Sequence, residues 1–363
     1  MFVVLSIHWQ GKQMTNNPVD DTTLMSEKDY QRVFRRMYAN GYFTNHGPLA
    51  REFEQELESF LDIGHAVTVG NESLALLIAM TALELRGEII LPAWGSELPA
   101  RIANWLGLQI RYSDIDRSTH QLSIESLQPK LNNEAEAVCL VEMYGSRCDP
   151  SLIDYLCAQQ KQVIILAIDS FAAASSTGLV ENRSGVTTVF GFGPGKILYS
   201  TQGGAIATSD DGLAERCRNI RSSYGARKSV PVMATCNGRF SEFQAGVGLA
   251  SLEYVPQAIE RNHAIAAIYD AAMTDHAVAT PLRFANTSLQ NGQCYPIFFR
   301  GDQRDGLSSE LQGMGVELLA GKPSHDDHPI ARDLAASVAF LPVNNAAADG
   351  LAEKIARHFN NLP

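Results

Sequence analysis

Short apolar runs recur between residues 65 and 208 of this 363-residue chain, and they limit what it can fold into. They fall at His65–Val69, Glu88–Leu91, Gln109–Tyr112, Ala137–Met143, Val163–Ile168, Val186–Phe190 and Gly204–Thr208. Their Ile, Val and Leu content suits strands buried on both faces. Helical patterns separate the earlier runs, notably Glu72–Leu85, Leu98–Leu106 and Pro150–Gln160. Strand–helix–strand repetition predicts an α/β fold, a seven-stranded, mostly parallel sheet between helical layers. Only Gly191–Gly203 joins the last two runs, too short for a crossover helix, so the seventh strand is expected antiparallel.

Before the sheet, residues 26–63 read as two helical stretches around a break at Gly41–Pro48. The second places Phe53, Leu57, Phe60 and Leu61 on one face. From about Glu242 a long helical stretch leads into a smaller α+β unit, with strand candidates at Cys294–Phe299 and Val338–Leu341 and a closing helix at Ala346–Phe359. The expected division is a large domain over 14–250 and a small one over 251–363. The opening MFVVLSIHWQGKQ differs from the polar stretch that Met14 begins, and two readings fit equally: Met14 as the true start, or a frayed N-terminal arm.

Composition removes several function classes. A formal net charge of −11 argues against binding a nucleic-acid backbone. No apolar run approaches the roughly 18 residues of a membrane span, and no signal pattern opens the chain. Six cysteines without a CxxC pair suit reduced thiols, and the expected location is the cytoplasm. The segment His325-Asp326-Asp327-His328 looks like a metal cluster, but it precedes a helix starting at Pro329, so a capping loop is the better reading and no metal is expected.

Ligands of open α/β sheets bind beyond the carboxyl ends of the strands. Those ends carry Gly70-Asn71, Trp94, Tyr144, Asp169 and Lys196. Asp169 leaves the apolar run VIILAI, where a carboxylate needs a cationic partner or serves as a cap. Lys196 lies in GFGPGKILYSTQGGA, either a plain turn or a constrained loop whose desolvated lysine has a lowered pKa and acts as a nucleophile. Gly70-Asn71 opens a helix whose N-terminal amides suit a phosphate. Glu72 in that first turn either repels an anion or points away. Trp94 fits ring stacking or the core equally well.

In order and spacing, TNHGP at 44–48, HAVTVGNESL at 65–74, MYGSRCDP at 143–150, ILAID at 165–169, GPGK at 193–196 with QGGAIAT, CNGRFSEFQAGVGLASLE at 236–253 and HPIARDLAASVAFLP at 328–342 resemble the DegT/StrS sugar aminotransferases. These are pyridoxal 5′-phosphate (PLP) enzymes of the aspartate-aminotransferase fold. The resemblance implies catalytic roles for Lys196, which carries the cofactor, and Asp169, which pairs with its ring nitrogen. It also implies phosphate contacts from Gly70 and Asn71, and from Asn237 across a homodimer interface. Trp94 is the candidate stacking residue, although the family aromatic usually comes two residues later, at Ser96. The implied reaction moves an amino group from an amino acid, glutamate in the resembling enzymes, to a nucleotide-linked keto sugar for amino-sugar or surface polysaccharide biosynthesis.

Departures from the pattern keep other readings open. Ala172 stands where the family has Gln or His, Gly191 where it has a phosphate-binding Ser, and Asn71 where it has Thr. GKPSHDD replaces the usual substrate loop. A non-catalytic binding relative and a PLP enzyme acting on a non-sugar ketone are the alternatives.

Overall fold

The computed structural model describes residues 24–222, 228–273, 278–282, 289–300, 303–314, 316–318, 327–343 and 350–361. Met14, His325, Asp326 and most of GKPSHDD lie outside them.

Two helices open the described chain, α1 (Glu27–Asn40) and α2 (Pro48–Leu61). The break between them has two causes. Gly41 ends α1 in the left-handed conformation (φ 60°), and Pro48 starts α2 at its first turn. Glu242 accepts the amide hydrogens of Leu49 and Ala50, both at 2.9 Å, and so closes the open end of α2. Phe53, Leu57 and Leu61 are buried. Each such side chain stabilises the fold by roughly 1.5–3 kcal/mol.

The alternating region comprises β1 (His65–Val69), α3 (Glu72–Ala82), β2 (Glu88–Pro92), α4 (Leu98–Trp105), β3 (Gln109–Ser113), α5 (Ile124–Leu127), β4 (Ala135–Glu142), α6 (Pro150–Ala158), β5 (Gln162–Ala167), β6 (Val186–Gly191) and β7 (Gly204–Thr208). Its strands form one seven-stranded sheet ordered β1-β7-β6-β5-β4-β2-β3. β7 runs antiparallel to β6 and to β1, as the short connection implied, and the other pairings are parallel. Every residue of β6 and β7 is buried, which is why these strands read as short runs without charged residues, their threonines buried with the rest.

Then come α7 (Asp211–Arg221), α8 (Glu242–Leu252) and α9 (Val255–Met273). The remaining elements are β8 (Ala279–Pro281), β9 (Tyr295–Phe299), α10 (Gln303–Gly313), β10 (Glu317–Leu318), α11 (Pro329–Ser337), β11 (Val338–Leu341) and α12 (Leu351–Asn360). Here β8 to β11 build a second sheet, ordered β10-β11-β9-β8. The brief β8 and β10 carry too few residues for a period-two pattern, so the sequence does not reveal them. The long helical pattern from Glu72 to Leu85 ends earlier as a helix, because Ala82 closes α3 and Glu84 turns to φ 56°. His328 stands immediately before α11, and the described residues contain no cluster of three or more His, Cys, Asp or Glu side chains arranged to hold a metal ion.

Candidate active site

The parallel strands deliver their carboxyl ends to one edge of the sheet, and there Asp169 meets Lys196. Lys196 rides a tight turn. Its amide donates to Gly193 O at 3.3 Å, Pro194 takes the first corner, and Gly195 the second at φ 82°. The ammonium donates to Ile168 O at 2.5 Å and lies 3.3 Å from Asp169 Oδ1. Burial alone would lower the affinity of this lysine for its proton. The Asp169 carboxylate and then Glu72 outweigh burial, and the Lys196 pKa is raised above its ordinary value. This corrects the expectation of a lowered pKa, which counted desolvation but not the paired carboxylate.

Several groups hold the turn that carries Asp169. The fully buried Glu142 at the end of β4 accepts Arg147 Nε at 2.7 Å, the Cys148 amide at 3.0 Å and Ser170 Oγ at 2.5 Å. Asn291 Nδ2 donates to the carbonyls of Asp169 at 2.5 Å and Phe171 at 2.9 Å. A Cβ on Gly145 would stand 2.3 Å from Asn291 Oδ1, so the close approach requires glycine there. Gln293 Nε2 donates to Asp169 Oδ1 at 3.0 Å. Sequence reasoning missed Asn291 and Gln293, since NGQ before a strand reads only as a turn.

At the start of α3, Asn71 is the N-cap, its Oδ1 accepting the Leu74 amide at 2.9 Å. The Gly70 amide donates to Gly238 O at 3.0 Å. Glu72 does not point away from the site. A Cβ on Gly191 would lie 2.8 Å from Glu72 Cδ, and Oε1 is buried without a hydrogen-bond partner among the described residues. Burial raises the Glu72 pKa, Lys196 opposes that shift and Asp169 adds to it.

Trp94 is buried with Ile115, Ala331, Leu334 and Val338, and its indole N–H donates to Tyr144 Oη at 2.8 Å. The structure thus puts Trp94 in a core cluster beneath α11. Asn237 is exposed, accepts Arg239 Nε at 2.7 Å, and makes no hydrogen bond to Lys196 or Asp169. Ala172 stands at φ 62°, three residues after Asp169.

These residues fit PLP on the chemistry of the donor set: an amine and a carboxylate 3.3 Å apart, both close enough to Glu72 in the first turn of α3 to act on its charge. The Glu72 carboxyl adds one condition. Ionised, it carries the same sign of charge as a phosphate, so it must be neutral or displaced when a phosphate enters.

The model of the DegT/DnrJ/EryC1/StrS aminotransferase family matches residues 25–354. The chain is similar to the GDP-perosamine synthase of Vibrio cholerae, 26% identical over 320 residues, covering 85% of each chain. It is 28% identical over 306 residues to a UDP-2-acetamido-2-deoxy-3-oxo-D-glucuronate aminotransferase of Pseudomonas aeruginosa, covering 83% of this chain and 84% of the relative. Among solved structures, that of DesI with its TDP-sugar product superposes with a TM-score of 0.81 at 23% identity, over 93% of this chain and 92% of DesI.

Proposed function

Since the chain belongs to the DegT/DnrJ/EryC1/StrS aminotransferase family, whose members are PLP-dependent, we propose that it transfers an amino group from an amino acid, glutamate by resemblance, to a nucleotide-linked keto sugar. The observation that carries this reading is the Lys196–Asp169 pair at 3.3 Å, at the strand ends where an α/β sheet binds its ligand. One of the two relatives is a synthase of GDP-perosamine and the other an aminotransferase for a UDP-linked oxo sugar, which supports the acceptor class.

When bound, PLP supplies an electron sink for the bond broken at the amino-bearing carbon. Asp169 would hold the ring nitrogen with its proton. Lys196 would carry the cofactor and then move a proton to and from the reacting carbon as general acid and base. The first-turn amides of α3 would hold the phosphate, and Gly70, whose own amide donates to Gly238 O, would shape the turn before them. Asn71 would serve there by capping the helix.

The proposed working form is a cytoplasmic homodimer. Asn237 is exposed rather than turned into its own site, which suits a contact to a second copy. Phe34, Tyr38 and Phe43 add exposed aromatic surface at 57%, 80% and 56%. No helix among the described residues is long and apolar enough to cross a membrane.

One observation favours a second reading, a binding relative without turnover: the Glu72 carboxyl beside Gly191. Incubating the PLP-loaded protein with L-glutamate and a panel of nucleotide-linked keto sugars separates the two. Formation of 2-oxoglutarate and an amino sugar supports the aminotransferase. Tight sugar-nucleotide binding without either product supports the binding relative.

A further inference from the structure

The side chain of Gln293 bridges the two halves of the catalytic pair. Its Oε1 accepts the Ile197 amide, next to Lys196, at 2.9 Å, and its Nε2 donates to Asp169 Oδ1 at 3.0 Å. The orientation of this amide is dictated by chemistry. A backbone N–H can only donate, so the oxygen must face Ile197 and the NH2 must face the carboxylate. Gln293 is 7% exposed, leaving little water to replace either bond. Its own amide donates to Asn291 Oδ1 at 2.9 Å, while Asn291 Nδ2 binds the carbonyls of residues 169 and 171. The segment 291–293 therefore grips the Asp169 turn and then runs into β9 of the second sheet.

We propose that Gln293 is a positioning residue for the reaction, holding Asp169 at a fixed angle to Lys196 and tying that angle to the placement of the four-stranded sheet. The donor matters as well as the shape. A hydrogen bond to a charged acceptor contributes more than a neutral one, and losing it leaves a half-buried carboxylate short of a donor. No local signal marks Gln293, which lies 124 residues from Asp169 in the chain.

The proposal rests on the PLP reading, so the test begins with the wild-type holoprotein and its visible band of lysine-bound PLP. Two variants are then compared with it, Gln293→Ala and Gln293→Glu. The glutamate keeps the shape and an acceptor for the Ile197 amide, but at pH 8 it faces Asp169 with a second negative charge. A purely structural role predicts that Glu restores what Ala loses. A positioning role predicts that both variants lose about ten- to a hundredfold in kcat for the glutamate half-reaction, with KM within about twofold. In Gln293→Glu, the pH midpoint of the visible band also rises, since added negative charge favours the protonated form. Thermal melting of the apoproteins reports folding separately. A Gln293→Glu protein with wild-type kcat and an unmoved midpoint overturns the proposal and leaves the aminotransferase reading standing. No visible band in the wild-type protein overturns both.

Discussion

Glu72 and Gly191 share one space. The Glu72 carboxyl carbon stands 2.8 Å from where a Cβ at residue 191 would be, so the missing side chain is what admits the carboxyl. The pair links two unusual positions, the first turn of α3 and the end of β6. With Lys196 and Asp169 the charged groups facing it, Glu72 is an acid held above its ordinary value of 4.5. Such a group favours the fold most below that value, and its contribution falls as pH rises through the folded pKa. The same ionisation opposes a phosphate. PLP affinity should therefore weaken as pH rises through the Glu72 transition. Glu72→Gln should bind PLP at least about tenfold tighter above it, the factor that 1.4 kcal/mol of relieved repulsion gives. Fluorescence titration with PLP from pH 5 to 9 measures both.

Gly191→Ser should be destabilising on its own, by about 1–3 kcal/mol, because the new side chain overlaps the carboxyl. Glu72→Ala should relieve most of that loss. A double-mutant cycle by urea unfolding should then show a coupling of at least about 1 kcal/mol between the positions.

Asp169→Asn keeps the size of the side chain and removes its charge. PLP should still load onto Lys196, while turnover with glutamate falls by about 100-fold or more, the scale of a lost electrostatic partner at a reacting centre. Stopped-flow absorbance in the presence of glutamate reads this directly.

His120 is buried against Phe298 and Tyr144, and burial pushes its pKa down to about 4. A histidine kept neutral by the fold must be desolvated to become charged. Stability is thus full above pH 6.5 and is lost as pH falls toward 4, by about 3 kcal/mol at the lower end. His120→Asn tolerates the left-handed backbone at this position (φ 55°). Its unfolding free energy should fall less steeply over that window than the wild type's.

How much of the molecule was legible in the sequence depends on the range of each signal. Strands buried on both faces write themselves as apolar runs, so the central strands of the large sheet were readable, and so was the reversal at β7. Lys196 and Asp169 could be located because strand ends are where an α/β sheet binds. The lysine's raised pKa was not legible, since it depends on a carboxylate 27 residues away in the chain. Nor was the Trp94–Tyr144 bond, the meeting of Glu72 with Gly191, or the grip of Asn291 and Gln293 on Asp169. Each joins residues far apart in sequence through side-chain geometry that no periodicity records.

The central claim is that Lys196 carries PLP beside Asp169, and visible absorption tests it most directly. The purified protein and Lys196→Ala would each be loaded with PLP, desalted and scanned before and after L-glutamate. The account predicts a band of lysine-bound PLP in the wild type that glutamate discharges, and no such band in Lys196→Ala. A wild-type protein without the band, or a Lys196→Ala protein that keeps it, would contradict the account.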